Sequence, residues 1–492
     1  MNTDRATRVI CRWLLVWICL GGSFTAMAQD DTHQVFIVSP DSTYTTIEAA
    51  LAVAQAGDTI EVHGGQYAAP LLIEKSVSLI GLDSPIIDGH GNGSLVIITA
   101  PDVRFESFVV RNSGVNVNHE DTGIVVQASR VTVANNIVED VLFGIYFADA
   151  SEGTAQGNTV RCVDRELGVR GDGIRVWFSS NVVISGNTVT TCRDTLIWYA
   201  QHVTIINNVI QNSRYGLHFM YSSDADIEGN TFEGNSVGSY LMYSQRLTMT
   251  QNHMLSNRGP SGYGIALKDM DYVTLQDNLL IGNRAGLYLD NSPALYNITN
   301  TVSGNFFAYN DIGIAALPST ARNIFQGNTF LENHQQISVQ GRGNLLGNTW
   351  QQDGIGNYWS DYVGYDGNHD GQGDMPYRSE KLFESLTDNE PVLRIFSFSP
   401  VTQAIDFAAA AFPSLRPDPK VIDEAPLMHY TLPTGLAAAP QGISLEFLFI
   451  TLGLLGSGAA LWAFAMHGTF HRNRSGALPV KTIPSSLPVG TE

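Results

Sequence analysis

The chain has little cysteine, a shortage of positive charge and only two long apolar runs, and each of these narrows what its 492 residues can do. Of four cysteines, Cys11 and Cys19 lie in the extreme N-terminal segment, which leaves Cys162 and Cys192. Two are too few to build a disulfide scaffold of this size, so packing must hold the core. Lys and Arg number 27 against 47 Asp and Glu, a formal net charge of -20, which argues against nucleic acid or anionic lipid as a partner. There is no Gly-rich Walker loop, so any ATP hydrolysis belongs to another chain.

The apolar runs sit at the two ends. Arg5, Arg8 and Arg12, then Leu14 to Leu20, then Ala26-Met27-Ala28, have the three-part layout of a secretory signal, which assigns residues 1–28 to a cleaved leader. At ~1.5 Å per residue, the run from Phe447 to Met466 is long enough to cross a hydrocarbon core of about 30 Å. Residues 443–466 are therefore expected to form one transmembrane helix. Arg472 and Arg474 follow it, which places the tail, 467–492, in the cytoplasm and the large domain outside.

Between these ends one phrase recurs: an aliphatic-x-aliphatic triplet, two residues ending in Asn, then a short apolar pair. It appears as VTVANNIV, VVISGNTV, VTIINNVI, ADIEGNTF, LTMTQNHM and VTLQDNLL. The closing asparagines are read as Asn136, Asn158, Asn187, Asn208, Asn230, Asn252, Asn278, Asn305, Asn328 and Asn348, spaced by 20 to 29 residues. Midway comes Gly with alternating apolar residues, as in GIRVW and GLHFM. The period is that of a solenoid coil made of short strands and tight turns. Asn tolerates a left-handed corner, and stacked amides bond along a ladder. The expected fold is all-β, a right-handed parallel β-helix of about ten coils over residues 29–350, capped by a helix at Ile47–Gln55. Residues 351–398 would close the far end, and the Pro/Ala-rich stretch 399–442 would be an extended arm.

Side chains alternate across a strand, so the residues two and four after each mid-coil Gly should face outward. Read at Gly173, Thr195, Gly216 and Gly238, the first column is Arg175, Ile197, His218, Tyr240 and the second Trp177, Tyr199, Met220, Met242. Imidazole and thioether are ligands for Cu(I), an exposed apolar patch suits docking, and methionine also simply packs. All three readings stay open here. Asp366, Asn368, Asp370 and Asp374 place oxygens around a glycine turn, as a Ca2+ loop or a metal-free Asx turn would. Asp172 and Asp194 read as equivalent in adjacent coils, either a charge-paired corner with nearby arginines or an acid/base pair. Cys162 and Cys192 lie close enough in their coils to form a bridge or to hold a soft metal.

Several of these phrases together resemble the NosD family, periplasmic β-helix maturation factors of nitrous oxide reductase. The resemblance rests on GDTIEVHGGQY, SVSLIGLDSPIIDGHG, RGDGIRVWFSS, YGLHFMYSSD, GNYWSDYVGYDGNHDGQGDMPY and FPSLRPDPKVIDEAPL, which span residues 35–430. It implies a non-catalytic accessory subunit of an ABC transporter, permease and ATPase, that helps assemble the enzyme's copper-sulfur centre. A copper chaperone lipoprotein and nitrous oxide reductase itself would be further partners, and Cu(I) a transient cargo. It places the chain in the periplasm, here with its own inner-membrane anchor, and the segment 413–427, opening at Pro413, as the arm that docks on the transporter. The competing expectation is a carbohydrate-active lyase, hydrolase or epimerase working through Asp172 and Asp194.

Overall fold

The structure, a computed structural model, describes residues 33–433. Both the leader, 1–28, and the expected membrane helix and tail, 443–492, lie outside the described residues. Among the described residues no helix is long and apolar enough to cross a membrane. The unit ending at Thr431 is a parallel β-solenoid with three sheets of 13, 12 and 13 strands. Neighbouring strands within each sheet come from successive coils. Along the strands inward residues are buried and outward ones open, as in Leu71–Ile73, where Leu72 is exposed between two buried neighbours, and Val96–Ile98, where Ile97 is partly open.

The coil count of about ten is therefore corrected upward. Counting by asparagine misses the opening turns, whose strands Thr59–Val62, Ser78–Gly81 and Arg104–Glu106 stack without a ladder Asn. The N-terminal cap is helix α1, Ile47–Val53, with Thr46 accepting from the Ala49 amide. Its C-terminal carbonyls are capped by Lys75, whose Nζ donates to Leu51, Ala52 and Ala54 at 2.7 to 2.9 Å. A cation there complements the helix dipole.

The asparagine column is a continuous ladder. In each rung Oδ1 accepts from the backbone N–H and the Nδ2 of the previous Asn, and Nδ2 donates onward; Asn208 to Asn230 shows both bonds at 2.9 Å. Its final rung is Asn357, which accepts from Asn328; Asn348 lies off this column and accepts from Asn323. The left-handed residue is also not the ladder Asn. It is the one before it, such as Asn135, Gly157, Gly186, Asn207 and Gly229. A second ladder, Asn235 to Asn333, runs five residues further on.

Mid-coil glycines are required by close stacking. A Cβ on Gly216 would lie 2.5 Å from the carbonyl oxygen of Gly238, and one on Gly238 the same distance from that of Gly264.

At the C-terminal end Trp359 stacks on Phe330 at 4.3 Å and on Tyr377 at 4.2 Å. Over its described part, 399–433, the expected extended arm is instead folded. It holds helix α3, Pro400–Ala411, packed against α2, Leu382–Asn389, and then folds back so that Val421 and Asp423 are fully buried. Asp423 accepts from the Trp359 indole at 3.0 Å and from the Asn357 amide at 2.7 Å. Buried Lys420 donates to Asp388 at 2.8 Å and to the Ile337 carbonyl at 3.0 Å. The segment 413–427 is thus largely committed to closing the solenoid.

Candidate functional site

The outward residues of interest lie on the 12-stranded sheet, on strands Ile174–Trp177, Asp194–Trp198, Tyr215–Met220 and Val237–Met242. Pairing of these strands gives the columns directly. The first is Tyr146, Arg175, Leu196, His218, Tyr240, and the second Trp177, Trp198, Met220, Met242. His218, Tyr240, Met220, Met242 and Trp177 stand where the sequence placed them. Tyr199 and Ile197 do not, because a β-bulge gives Tyr215–Met220 one residue more than Asp194–Trp198 between matched pairs. That shift turns Ile197 inward and puts Trp198 outward.

Tyr199 instead occupies the next corner, in the left-handed region. There Phe178, Tyr199, Tyr221 and Tyr243 stack along the solenoid axis at 4.8, 5.2 and 5.1 Å between centroids. Their edges stay open to solvent, from 37% to 51% exposed, which forms an aromatic strip beside the Trp/Met column.

His218 is the centre of the first column. Its Nδ1 lies 3.0 Å from Asp194 Oδ2, and its ring meets Tyr215 edge-on at 4.9 Å. The Asp194 carboxylate also accepts from Arg214 through both oxygens and from the Tyr215 amide at 3.2 Å. Burial would raise its pKa, but hydrogen bonds from His218 and Arg214 and their nearby charge hold it below the usual range. An ionised Asp194 fixes Nδ1 as the donor, which leaves Nε2 as the ring nitrogen open to a ligand. That Nε2 is buried and has no hydrogen-bond partner. Among the described residues Arg175 Nε and Trp198 Nε1, from the two preceding coils, are likewise buried without partners.

Asp172 and Asp194 are one residue out of step, since the pairing of Ile174 with Thr195 sets Asp194 opposite Gly173. Neither carboxylate has any exposed surface, and each is clamped by an arginine, Asp172 by Arg193 at 3.0 and 3.1 Å. Burial, with the charge of Asp194 adding, pushes Asp172 up to about 6. Arg214 and Tyr215 were missed in the sequence reading, although Arg193 and Arg214 share the 21-residue spacing of Asn187 and Asn208. Cys162 and Cys192 form a disulfide.

In the Asp-rich loop the side chains serve the backbone. Asp366 accepts from the amides of His369, Asp370 and Gly371, Asn368 and Asp370 each from the amide two residues on, and Asp374 from that of Gly367. This is Asx-turn geometry. Among the described residues no group of three or more His, Cys, Asp or Glu side chains is placed to hold a metal ion.

The outward face from Arg175 to Met242 lies within 161–364, the segment that matches the family described as "Periplasmic copper-binding protein (NosD)". The chain is also 30% identical over 382 residues to the "Probable ABC transporter binding protein NosD" of Pseudomonas aeruginosa, covering 74% of this chain and 86% of that one. This chain belongs to the NosD family. The NosD protein of Stutzerimonas stutzeri, with the same description, is 29% identical over 394 residues, covering 75% of this chain and 86% of its own. Among solved structures, a PL6 alginate lyase in complex with a trisaccharide aligns with a TM-score of 0.51 at 14% identity, covering 65% of the NosD-family chain and 85% of the lyase. At that identity the likeness is one of fold.

Proposed function

We propose that this chain is a non-catalytic periplasmic accessory subunit of an ABC transporter, and that it assists assembly of the copper-sulfur centre of nitrous oxide reductase by passing Cu(I) across its outward face. The observation that carries the reading is the buried His218, held by Asp194 through Nδ1 and left with an unpartnered Nε2 beside the Met220/Met242 column. Copper is cargo in this reading, and the donors suit it. An oriented imidazole and thioethers are soft ligands, and outward residues two apart lie ~6.6 Å apart along a strand, a gap that a methionine side chain spans. His218 is buried, with the Tyr215 ring edge-on to it at 4.9 Å and the Tyr240 ring 5.3 Å from that of Tyr215. Access therefore needs neighbouring side chains to move, which suits loading by a docked donor rather than capture from solution. The strip Phe178, Tyr199, Tyr221 and Tyr243 offers that donor or a client an apolar edge to dock on. Transporter contact is assigned to the exposed apolar side chains at the end of α3, Phe407, Phe412 and Leu415.

A carbohydrate-active role has no comparable support. It would need Asp172 and Asp194 open to a sugar, and both are fully buried and arginine-bound.

The test is Cu(I) titration of the detergent-purified full-length protein against a competing chelator. His218→Ala with Met220→Ala and Met242→Ala should lose copper, and Asp194→Asn should weaken it roughly 10- to 100-fold, as removal of a supporting shell does. Equal affinity in wild type and variants would place copper elsewhere and leave the face to docking alone.

A further inference from the structure

The protein is strongly acidic, yet one cleft is walled by basic side chains. It lies where the 3-10 helix Pro391–Phe396 passes beside the 12-stranded sheet, has a volume of about 430 Å3, and is lined by Arg258, Arg284, Arg394, His334, Ile312 and Phe398 among others. Arg284 and Arg394 also line a smaller adjoining cleft of about 160 Å3, so they stand on the partition between the two.

The charges here do not cancel locally. Arg258 is neutralised, with Nη2 2.7 Å from each oxygen of Asp311. Arg284 donates to the Pro260 carbonyl, and among the described residues no carboxylate pairs with it. Arg394 donates to Ser338 Oγ at 3.1 Å and has only Asp388, at 3.9 Å, for a carboxylate. Asp388 is already engaged by Lys420, Ser338 and Gln335. The Nε of Arg394 is buried without a partner. Burial holds the Arg394 guanidinium below its ordinary pKa against the opposing charges of Asp388 and Asp311, with Arg284 adding to the lowering. Like charges held together in a partly desolvated wall are stabilised by an anion between them.

The remaining wall is not that of a simple inorganic-ion site. Phe398 is 89% exposed at the rim, its ring stacked on His334 at 4.6 Å, and Ile312 lies behind. We infer that this cleft binds a small organic anion, its phosphate, sulfonate or carboxylate head between Arg284 and Arg394 and its flat apolar body against Phe398 and Ile312. The site is separate from His218 and does not depend on copper handling.

Calorimetric titration of the full-length protein in detergent tests this, with phenyl phosphate, benzoate, inorganic phosphate and the neutral benzyl alcohol as probes. Phenyl phosphate and benzoate should bind, inorganic phosphate more weakly, and benzyl alcohol least. Arg284→Gln should weaken both organic anions at least about tenfold, the loss of one charge-assisted hydrogen bond. Phe398→Ala should abolish the preference for phenyl phosphate over inorganic phosphate. Because Arg394 also braces Ser338, Arg284→Gln and Phe398→Ala carry the test, each checked for an unchanged unfolding midpoint without ligand. Binding unaffected by Arg284→Gln, or no binding of either organic anion at millimolar concentration, overturns the assignment.

Discussion

Two faces of the same coils handle buried polar groups in opposite ways. At the asparagine corner, neutral amides repeat from Asn136 to Asn357, and each rung gives and takes the same hydrogen bonds, for example Asn230 to Asn252 at 2.9 and 3.0 Å. On the 12-stranded sheet the carboxylates of Asp172 and Asp194 are buried against the partly exposed Arg193 and Arg214, the groups differ from coil to coil, and His218 Nε2, Arg175 Nε and Trp198 Nε1 are left without partners. The ladder is complete in itself, so any rung can be followed by another. The charged face leaves three buried nitrogens without a partner. Leftover buried polarity is costly, and its concentration beside a methionine column is what the proposed copper role would account for.

The sharpest way to break the comparison is to remove one rung. Asn230 Oδ1 accepts from the Asn208 amide and side chain, while its Nδ2 reaches the Ile205 carbonyl at 2.8 Å. Asn230→Ala strands the Asn208 amide and the Ile205 carbonyl in the core at ~1–3 kcal/mol each. The expected loss is therefore ~2–6 kcal/mol in urea unfolding, because coils stack only on their neighbours and cannot share the defect. A change below about 1 kcal/mol would show that the ladder is ornamental.

A smaller effect is expected on the charged face. Asp194→Asn keeps the shape but removes the charge that Arg214 and His218 answer. Arg214 is one-third exposed and can be rehydrated, so the cost should stay nearer ~2–3 kcal/mol than the upper figures for a broken buried ion pair. The pH dependence has a definite sign. The folded pKa of Asp194 is depressed, so its contribution is present above the unfolded carboxylate range and is lost as pH falls through the lower folded value. Asp194→Asn should flatten the acid limb of the stability profile and weaken Cu(I) binding together. Loss of stability without loss of copper affinity would separate the two roles.

Much of this was legible in the chain. Period-2 alternation with a 20- to 29-residue repeat dictates stacked strands, and the Asn column marks one corner directly. The second ladder was written there too, in the spacing of five between Asn230 and Asn235, Asn252 and Asn257, and Asn278 and Asn283. What escaped had no local signal. The bulge before Leu217 adds a residue without changing composition, yet it moves Tyr199 from the face to the corner. The fold-back of Lys420 to Asp423 depends on Asp388, Trp359 and Asn357, 32 to 66 positions away in sequence. His218 was found because imidazole and thioether alternate on one strand; its support by Asp194 crosses coils and shows only in three dimensions.

The finest discrimination comes from Asp172, which shares the charged face with Asp194 but is shifted the other way. Burial and the Asp194 charge raise its pKa to about 6 despite Arg193. The folded protein then holds this proton more tightly than the unfolded chain, so stability should fall as pH rises from about 4 to about 6. This is the reverse of the Asp194 contribution. Asp172→Asn fixes the uncharged form while keeping an acceptor for Arg193, so its effect at any single pH should be the smallest of the three. It should appear as the disappearance of that slope when unfolding midpoints are measured between pH 4 and 7. An unchanged slope would mean that Arg193 and Arg175 fully offset the burial, and that the two carboxylates titrate as independent ion pairs rather than as one charged unit beneath the histidine.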